Sequence, residues 1–206
     1  MFNILEQLSN ELAEKINAAQ KSVVQISNGK GALGAGTIWH ADGLIVTNAH
    51  VIGKRNLKVI LPDGRAHAAK LLAYDANHDI AALKIDADNL PIIKVGESRT
   101  LKSGELVFAV GHPWGVIGAV TSGIVISAGA ALPEMARGRD LIAVNLRYRP
   151  GYSGGPLVNV EGQMVGINTL MTGPEVGAAV PVHIVKAFLR ELRETARVDA
   201  REYVTA

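Results

Sequence analysis

Ser153 stands in Gly151-Tyr152-Ser153-Gly154-Gly155-Pro156, a serine among glycines between two runs that alternate as strands do. A serine hydroxyl becomes a nucleophile only when a base takes its proton, and acyl transfer also needs amide N–H groups aimed at the developing oxyanion. Glycines meet the second need, because without a side chain they reach positive φ and let the backbone approach a substrate closely. The N–H groups of Gly151 and Ser153, with Tyr152 between them, are therefore the expected oxyanion hole. The plainer alternative is a glycine-rich hairpin turn.

Context separates these readings. The hexapeptide also satisfies G-x-S-x-G, but in a nucleophile elbow the serine opens a helix, and the acid and histidine follow it. Here Leu157 to Ile167 reads as a strand, a Glu161-Gly162 turn and a second strand, while the only later histidine is His183 and the only later aspartate is Asp199. Partners in the order His, Asp, Ser must lie upstream. Trp39 to Thr47 reads as two strands about an Asp42-Gly43 turn, and the second delivers Thr47-Asn48-Ala49-His50. His50 is the expected base, although a histidine at a strand end is more often structural. Asp79 immediately precedes the apolar run Ile80 to Ile85 and is the expected orienter of His50; Asp75, further from that strand, reads as a turn residue.

The elements that must hold these residues follow from periodicity. Ile4, Leu5, Leu8, Leu12 and Ile16 form one apolar stripe on an N-terminal helix, expected to cover a barrel end or sheet edge, with Phe2 and Ile4 as an alternative subunit contact. From Ser22 the period changes to two, with Val24, Ile26 and Ile38 on strands. The cluster Gly29, Gly31, Gly34 and Gly36 is not a phosphate loop, because Gly36-Thr37-Ile38-Trp39 runs into a strand instead of opening a helix. Leu57 to Leu61 and Ala66 to Ala73 form a further hairpin about Pro62-Asp63-Gly64. Pro181 to about Glu194 carries Ile184, Val185, Phe188, Leu189 and Leu192 on one helical face, followed by a charged tail expected to fray.

The 206 residues have room for one large domain or two small ones, and no apolar run approaches a membrane span. A formal net charge of +2 without blocks of like charge gives little electrostatic reason for a nucleic-acid partner. The absence of cysteine excludes disulfides and cysteine–zinc sites. Met1 is not followed by a signal-type leader, so the expected location is cytoplasmic as written, or periplasmic or extracellular if a leader was removed.

Together, Gly34-Ala35-Gly36-Thr37-Ile38, Asp42 to Val51, Asp79-Ile80-Ala81, Gly111-His112-Pro113-Trp114-Gly115, Val120 to Val125, Gly151 to Asn159 and Gly166-Ile167-Asn168-Thr169 resemble the HtrA/Deg family of trypsin-like serine proteases. The resemblance covers roughly residues 20 to 190 and puts the base, orienter and nucleophile on His50, Asp79 and Ser153. It implies an all-β fold of two six-stranded antiparallel β-barrels with N-terminal and C-terminal helices, and an active site between the barrels. The implied divisions are 1–20, 21–98, 99–181 and 182–206, with the change of barrel near Pro91 to Ser103. It further implies protein quality control on unfolded or extended polypeptide and a homotrimer built through the N-terminal segment.

Three departures from the family pattern stand out. The chain ends soon after its last helix, so no peptide-binding PDZ module is expected within it. Tyr152 stands where asparagine is usual. Asn145-Leu146-Arg147-Tyr148-Arg149-Pro150 replaces a smaller, more apolar segment. Arg147, six residues before Ser153, either points into solvent or makes the substrate pocket favour acidic side chains. With Arg147 outside, the pocket favours small aliphatic residues, with Ile167, Asn168 and Thr169 as the expected substrate-binding residues.

These readings lead to a serine endopeptidase, with a catalytically silent or latent peptide-binding protein or chaperone as the alternative. The six histidines show no paired-ligand spacing, and no metal or other cofactor is expected.

Overall fold

The computed structural model describes residues 3–27, 31–52, 57–129, 139–173 and 175–202. Twelve strands form two closed antiparallel barrels. The first comprises β1 (Val23–Ser27), β2 (Ala32–His40), β3 (Leu44–Thr47), β4 (Lys58–Ile60), β5 (Ala66–Asp75) and β6 (Ile80–Ile85), closed in the order β1-β2-β3-β6-β5-β4. The second comprises β7 (Leu106–Gly111), β8 (Ala119–Gly129), β9 (Leu141–Val144), β10 (Pro156–Asn159), β11 (Met164–Gly173) and β12 (Val176–Pro181), closed in the order β7-β8-β9-β12-β11-β10. Closure gives each strand two hydrogen-bonded neighbours, and the ends of the longer β5 and β8 extend past one of theirs. The expected two-barrel architecture is therefore the observed one.

Alternation along the strands builds three apolar cores. Val24, Ile26, Ile38, Ile45, Val59 and Leu83 fill the first barrel, while Val107, Val125, Ile142, Val144, Leu157 and Val165 fill the second. Residues of the opposite parity, including Val23, Val46, Ile80, Val110, Val158 and Met164, make a third core that joins the barrels to the helices. This explains why Ile80-Ala81-Ala82-Leu83 is apolar without interruption: both faces of β6 are buried. Burial of each isoleucine or leucine contributes about 1.5–3 kcal/mol.

The helix α1 (Ile4–Gln20) is capped by the Asn3 side chain, which accepts the Leu5 N–H at 3.2 Å. Its apolar stripe docks only in part. Ile16 and Ala19 are buried and Leu12 packs beside them, but Ile4, Leu5 and Leu8 are 80%, 70% and 59% exposed. The C-terminal part of the stripe alone packs on the barrels, and Phe2, named with Ile4 for the alternative subunit contact, lies outside the described residues. The last helix, α2 (Val182–Glu202), runs past Glu194, where a frayed tail was expected. Arg190 to Glu202 contains no Gly or Pro and is rich in Arg, Glu and Ala, which explains its continuation.

The connection between the barrels is fastened at two places. Gly96 N–H donates to Met164 C=O at 2.9 Å, and Met164 N–H donates to Lys94 C=O at 2.8 Å. Further along, Ser98 Oγ lies 2.8 Å from His183 Nδ1, whose Nε2 is 3.0 Å from Asp140 Oδ2. This hydroxyl–imidazole–carboxylate relay ties the connection to the start of β9 and the first turn of α2. Ser98 is only 3% exposed, and its oxygen also accepts the His183 N–H at 3.2 Å.

Candidate active site

β3 ends at Thr47, whose buried hydroxyl donates to Ala35 C=O at 2.7 Å. The chain then turns through a short 3-10 segment, Ala49–Val51, which carries His50. Asn48 holds that turn to the neighbouring strand by donating its side-chain amide to Asp79 C=O at 2.9 Å. Asp79, just before β6, has a left-handed φ of +58°, a conformation that Asp tolerates better than most residues. This backbone turn directs its carboxylate at His50. Oδ1 accepts the His50 backbone N–H at 3.0 Å, and Oδ2 lies 2.8 Å from His50 Nδ1. An ionised carboxylate only accepts, so Nδ1 carries the proton and Nε2 is the basic nitrogen.

Asp79 is 7% exposed and receives a third donor, the Thr169 hydroxyl. Burial opposes its ionisation, but the hydrogen bonds from His50 and Thr169 together hold the carboxyl below the ordinary aspartate range. Asp75 does not compete for His50. It lies 2.6 Å from His78 Nδ1 and accepts the Asn77 N–H at 2.8 Å, which closes the turn between β5 and β6.

Ser153 comes from the second barrel. Pro150 and Gly151 occupy the centre of a tight turn closed by Tyr152 N–H donating to Arg149 C=O at 3.1 Å. Gly151 has φ +110°, as a type II turn requires of its third residue. Gly154 N–H then donates to Asn168 C=O, and Asn168 N–H to Gly155 C=O, both at 2.9 Å. Ala35 N–H donates to Ser153 C=O at 2.8 Å, so the Ser153 segment is bonded to both barrels. Among the described residues, the N–H groups of Gly151 and Ser153 are left without an acceptor. Tyr152, expected beside them, is corrected: its N–H is spent in closing the turn.

The Ser153 hydroxyl donates to Thr169 C=O at 2.9 Å, and no hydrogen bond joins it to His50 among the described residues. Thr169 therefore touches both Asp79 and Ser153, a role that the sequence reading missed by making it only a pocket wall. Of the other expected pocket residues, Ile167 is fully buried in the core between the barrels. Asn168 is also fully buried, with its side-chain amide donating to Pro156 C=O at 2.9 Å. Both are corrected from pocket walls to supports. Arg147 is exposed, the solvent-facing of its two readings.

Around the turn, Tyr148 and Tyr152 are buried with ring centroids 6.2 Å apart, and Arg149 lies over the Trp114 ring at 5.7 Å. His112 N–H donates to Gly151 C=O at 2.9 Å. The His112 ring is buried and accepts the Gly118 N–H on Nδ1 at 3.1 Å. Burial lowers its pKa, against a smaller opposing pull from the Val24 main chain.

The family model for a trypsin-like peptidase domain matches residues 34–167. The chain belongs to the trypsin-like peptidase family. Within it, the relatives are of the HtrA/Deg type. A probable periplasmic serine endoprotease, DegP-like, from Halomonas elongata is 39% identical over 178 residues, covering 82% of this chain and 36% of the relative. The chain thus spans little more than a third of that relative's length. Among solved structures, the HtrA-type protease AlgW with a decapeptide superposes with a TM-score of 0.82 at 28% identity, covering 89% of this chain and 67% of that one. The serine endoprotease from Yersinia pestis gives a TM-score of 0.78 at 32% identity, covering 88% and 66%.

Proposed function

We propose that the chain is a serine endopeptidase that cleaves unfolded or flexible protein segments through an acyl-enzyme. The observation that carries this reading is the doubly bonded His50–Asp79 pair opposite a serine loop with two uncommitted N–H groups. Ser153 Oγ attacks the scissile carbonyl while His50 Nε2 takes its proton, and Asp79 stabilises the imidazolium. The N–H groups of Gly151 and Ser153 receive the oxyanion, a contribution of about 10²–10³ in rate for one such donor. His50 then protonates the leaving amine, and water enters by the reverse proton path to release the acyl group.

Extended polypeptide is the proposed substrate, because a cleft between barrels accepts backbone that a compact fold does not present. The proposed role is protein quality control, in keeping with the DegP-like and HtrA-type relatives, and the name of the first of these makes the periplasm the proposed compartment. No helix among the described residues is long and apolar enough to cross a membrane. The exposed Ile4, Leu5 and Leu8 support a subunit contact through α1, and a homotrimer is the proposed assembly by resemblance to the family. With Arg147 exposed, the pocket favours small aliphatic side chains over acidic ones. A peptide library in which Asp or Glu before the scissile bond is preferred would overturn that specificity.

A second reading is favoured by one contact. Ser153 donates to Thr169 C=O and not to His50, the arrangement of a latent enzyme at rest. Labelling with a fluorophosphonate probe tests both readings, with Ser153→Ala and His50→Ala as controls. Labelling of the unaltered chain alone supports the active triad. Labelling that requires an unfolded protein substrate supports latency, and none under either condition leaves a silent relative.

A further inference from the structure

The outer wall of the first barrel and α2 enclose a groove of about 890 Å³, away from the His50–Asp79–Ser153 site. Its floor is apolar, made by Trp39, Leu44, Leu71 and Leu72 from the barrel and Leu189 and Leu192 from the helix. A register shift in β5 makes this floor. Leu71 pairs with Leu83 and Ala73 with Ala82, so Leu72 is the extra residue of a bulge. Regular alternation would point consecutive leucines to opposite faces; here Leu71 and Leu72 are 38% and 39% exposed and both line the groove.

The rim is basic. Lys70 and Lys84 stand on the barrel side, and Lys186, Arg190 and Arg193 on the helix. Asp42, an acid at this rim, lies 3.2 Å from Lys84, and Lys186 donates to Gly96 C=O at 3.0 Å. Lys70, Arg190 and Arg193 have no ion-pair partner among the described residues, so each wall presents cations able to meet a carboxylate, although Asp86 and Asp88 line the surface adjoining Lys70.

We propose that this groove docks an acidic amphipathic polypeptide segment, with apolar side chains on the leucine floor and carboxylates on Lys70, Arg190 and Arg193. The spread of the cations selects this occupant. A fatty acid brings one carboxylate at one end of its chain, whereas these cations flank the floor on two walls and along a turn of helix. Lys186 to Thr195 spans about 14 Å, which matches roughly nine residues of a docked helix. The lining that faces the groove is made of apolar and cationic side chains, so recognition runs through side chains, as when an amphipathic helix lies in a groove.

The two tryptophans make a direct test possible, because Trp39 lines the groove and Trp114 does not. Ser153→Ala combined with Trp114→Phe leaves Trp39 as the only indole and prevents cleavage. The probe is a synthetic Leu/Glu amphipathic helix of roughly 14 residues, with a Leu/Lys twin as control. The Leu/Glu peptide is expected to shift Trp39 emission saturably, and its Kd to rise at least about threefold between ~0.05 and ~0.3 M salt. Arg190→Glu with Arg193→Glu is expected to raise Kd at least about tenfold. Arg190→Gln with Arg193→Gln, which keeps helix propensity, is expected to raise it less, and circular dichroism checks that both variants fold. Absence of a saturable shift, equal binding of the Leu/Lys twin, or a Kd unchanged in both charge variants overturns the proposal. So does a response to oleate or phosphatidylglycerol vesicles with none to the peptide.

Discussion

The Ser153 hydroxyl donates to the main-chain carbonyl of Thr169 at 2.9 Å, while the Thr169 hydroxyl donates to Asp79. One residue of β11 thus engages the proposed nucleophile with its backbone and the proposed orienter with its side chain. The backbone contact survives any substitution, but the side-chain contact does not. Thr169→Val keeps the shape and removes the hydroxyl, so a buried carboxylate loses a donor, worth about 1.5–3 kcal/mol. The expected result is a fall of roughly 10- to 100-fold in kcat/KM for peptide hydrolysis, carried by kcat. An unchanged kcat in this variant would remove Thr169 from the proposed mechanism.

Asp79 also links the site to acid stability. Its folded pKa lies below the ordinary value, so its contribution is present above the unfolded pKa of about 3.9 and is lost as pH falls through the folded pKa. The difference in melting temperature between the unaltered chain and Asp79→Asn should be largest near neutrality and close below about pH 4. A difference independent of pH would mean that the carboxylate's charge does not stabilise the fold.

His112 acts in a different window. Its burial lowers the folded pKa, so an unfolded chain takes up a proton that the folded chain refuses. Stability is therefore full above the unfolded value of about 6.5 and declines as pH falls towards the folded one. His112→Asn removes the titrating ring. Melting curves between about pH 7.5 and 5 should be flatter for that variant, and equal slopes would count against His112 as the sensitive group.

Gly154 is expected to tolerate no side chain. Its φ is +85°, and a Cβ there would stand 2.1 Å from Ala35 O and 2.2 Å from Thr47 Oγ1. Both atoms belong to the first barrel, so relief requires the barrels to part. Gly154→Ala should abolish fluorophosphonate labelling and cost at least about 2 kcal/mol in denaturant unfolding. Retention of both properties would show that the interface yields more readily than its geometry suggests.

The sequence exposed those features that chemistry or turns impose on residue type. Only certain residues can serve as base, acid and nucleophile, so His50, Asp79 and Ser153 stood out by type and order. Asp42-Gly43 marked its hairpin because Gly43 adopts φ +96°. Facing was harder to read. Ile167 and Asn168 precede a register shift between β11 and β12, and a run buried on both sides carries no mark of which side meets a substrate. The stripe on α1 was visible, but the length of helix that packs depends on the barrel surface beneath it. The loss of the Tyr152 N–H to Arg149 depends on a turn type that Pro150-Gly151 suggests, whereas the hydroxyl bond of Thr169 to Asp79 joins residues 90 apart in the chain and left no local signal.

The relay of Ser98, His183 and Asp140 shows how little the composition of a triad says by itself. A geometric template asking only for a serine, an imidazole and a carboxylate within hydrogen-bond distance would find it as readily as any catalytic set. Yet a serine enclosed by protein and already accepting a backbone N–H has no open face for an electrophile. In this chain the same three side-chain types serve as a rivet in one place and are proposed for chemistry in another; solvent access and uncommitted amides separate the two uses.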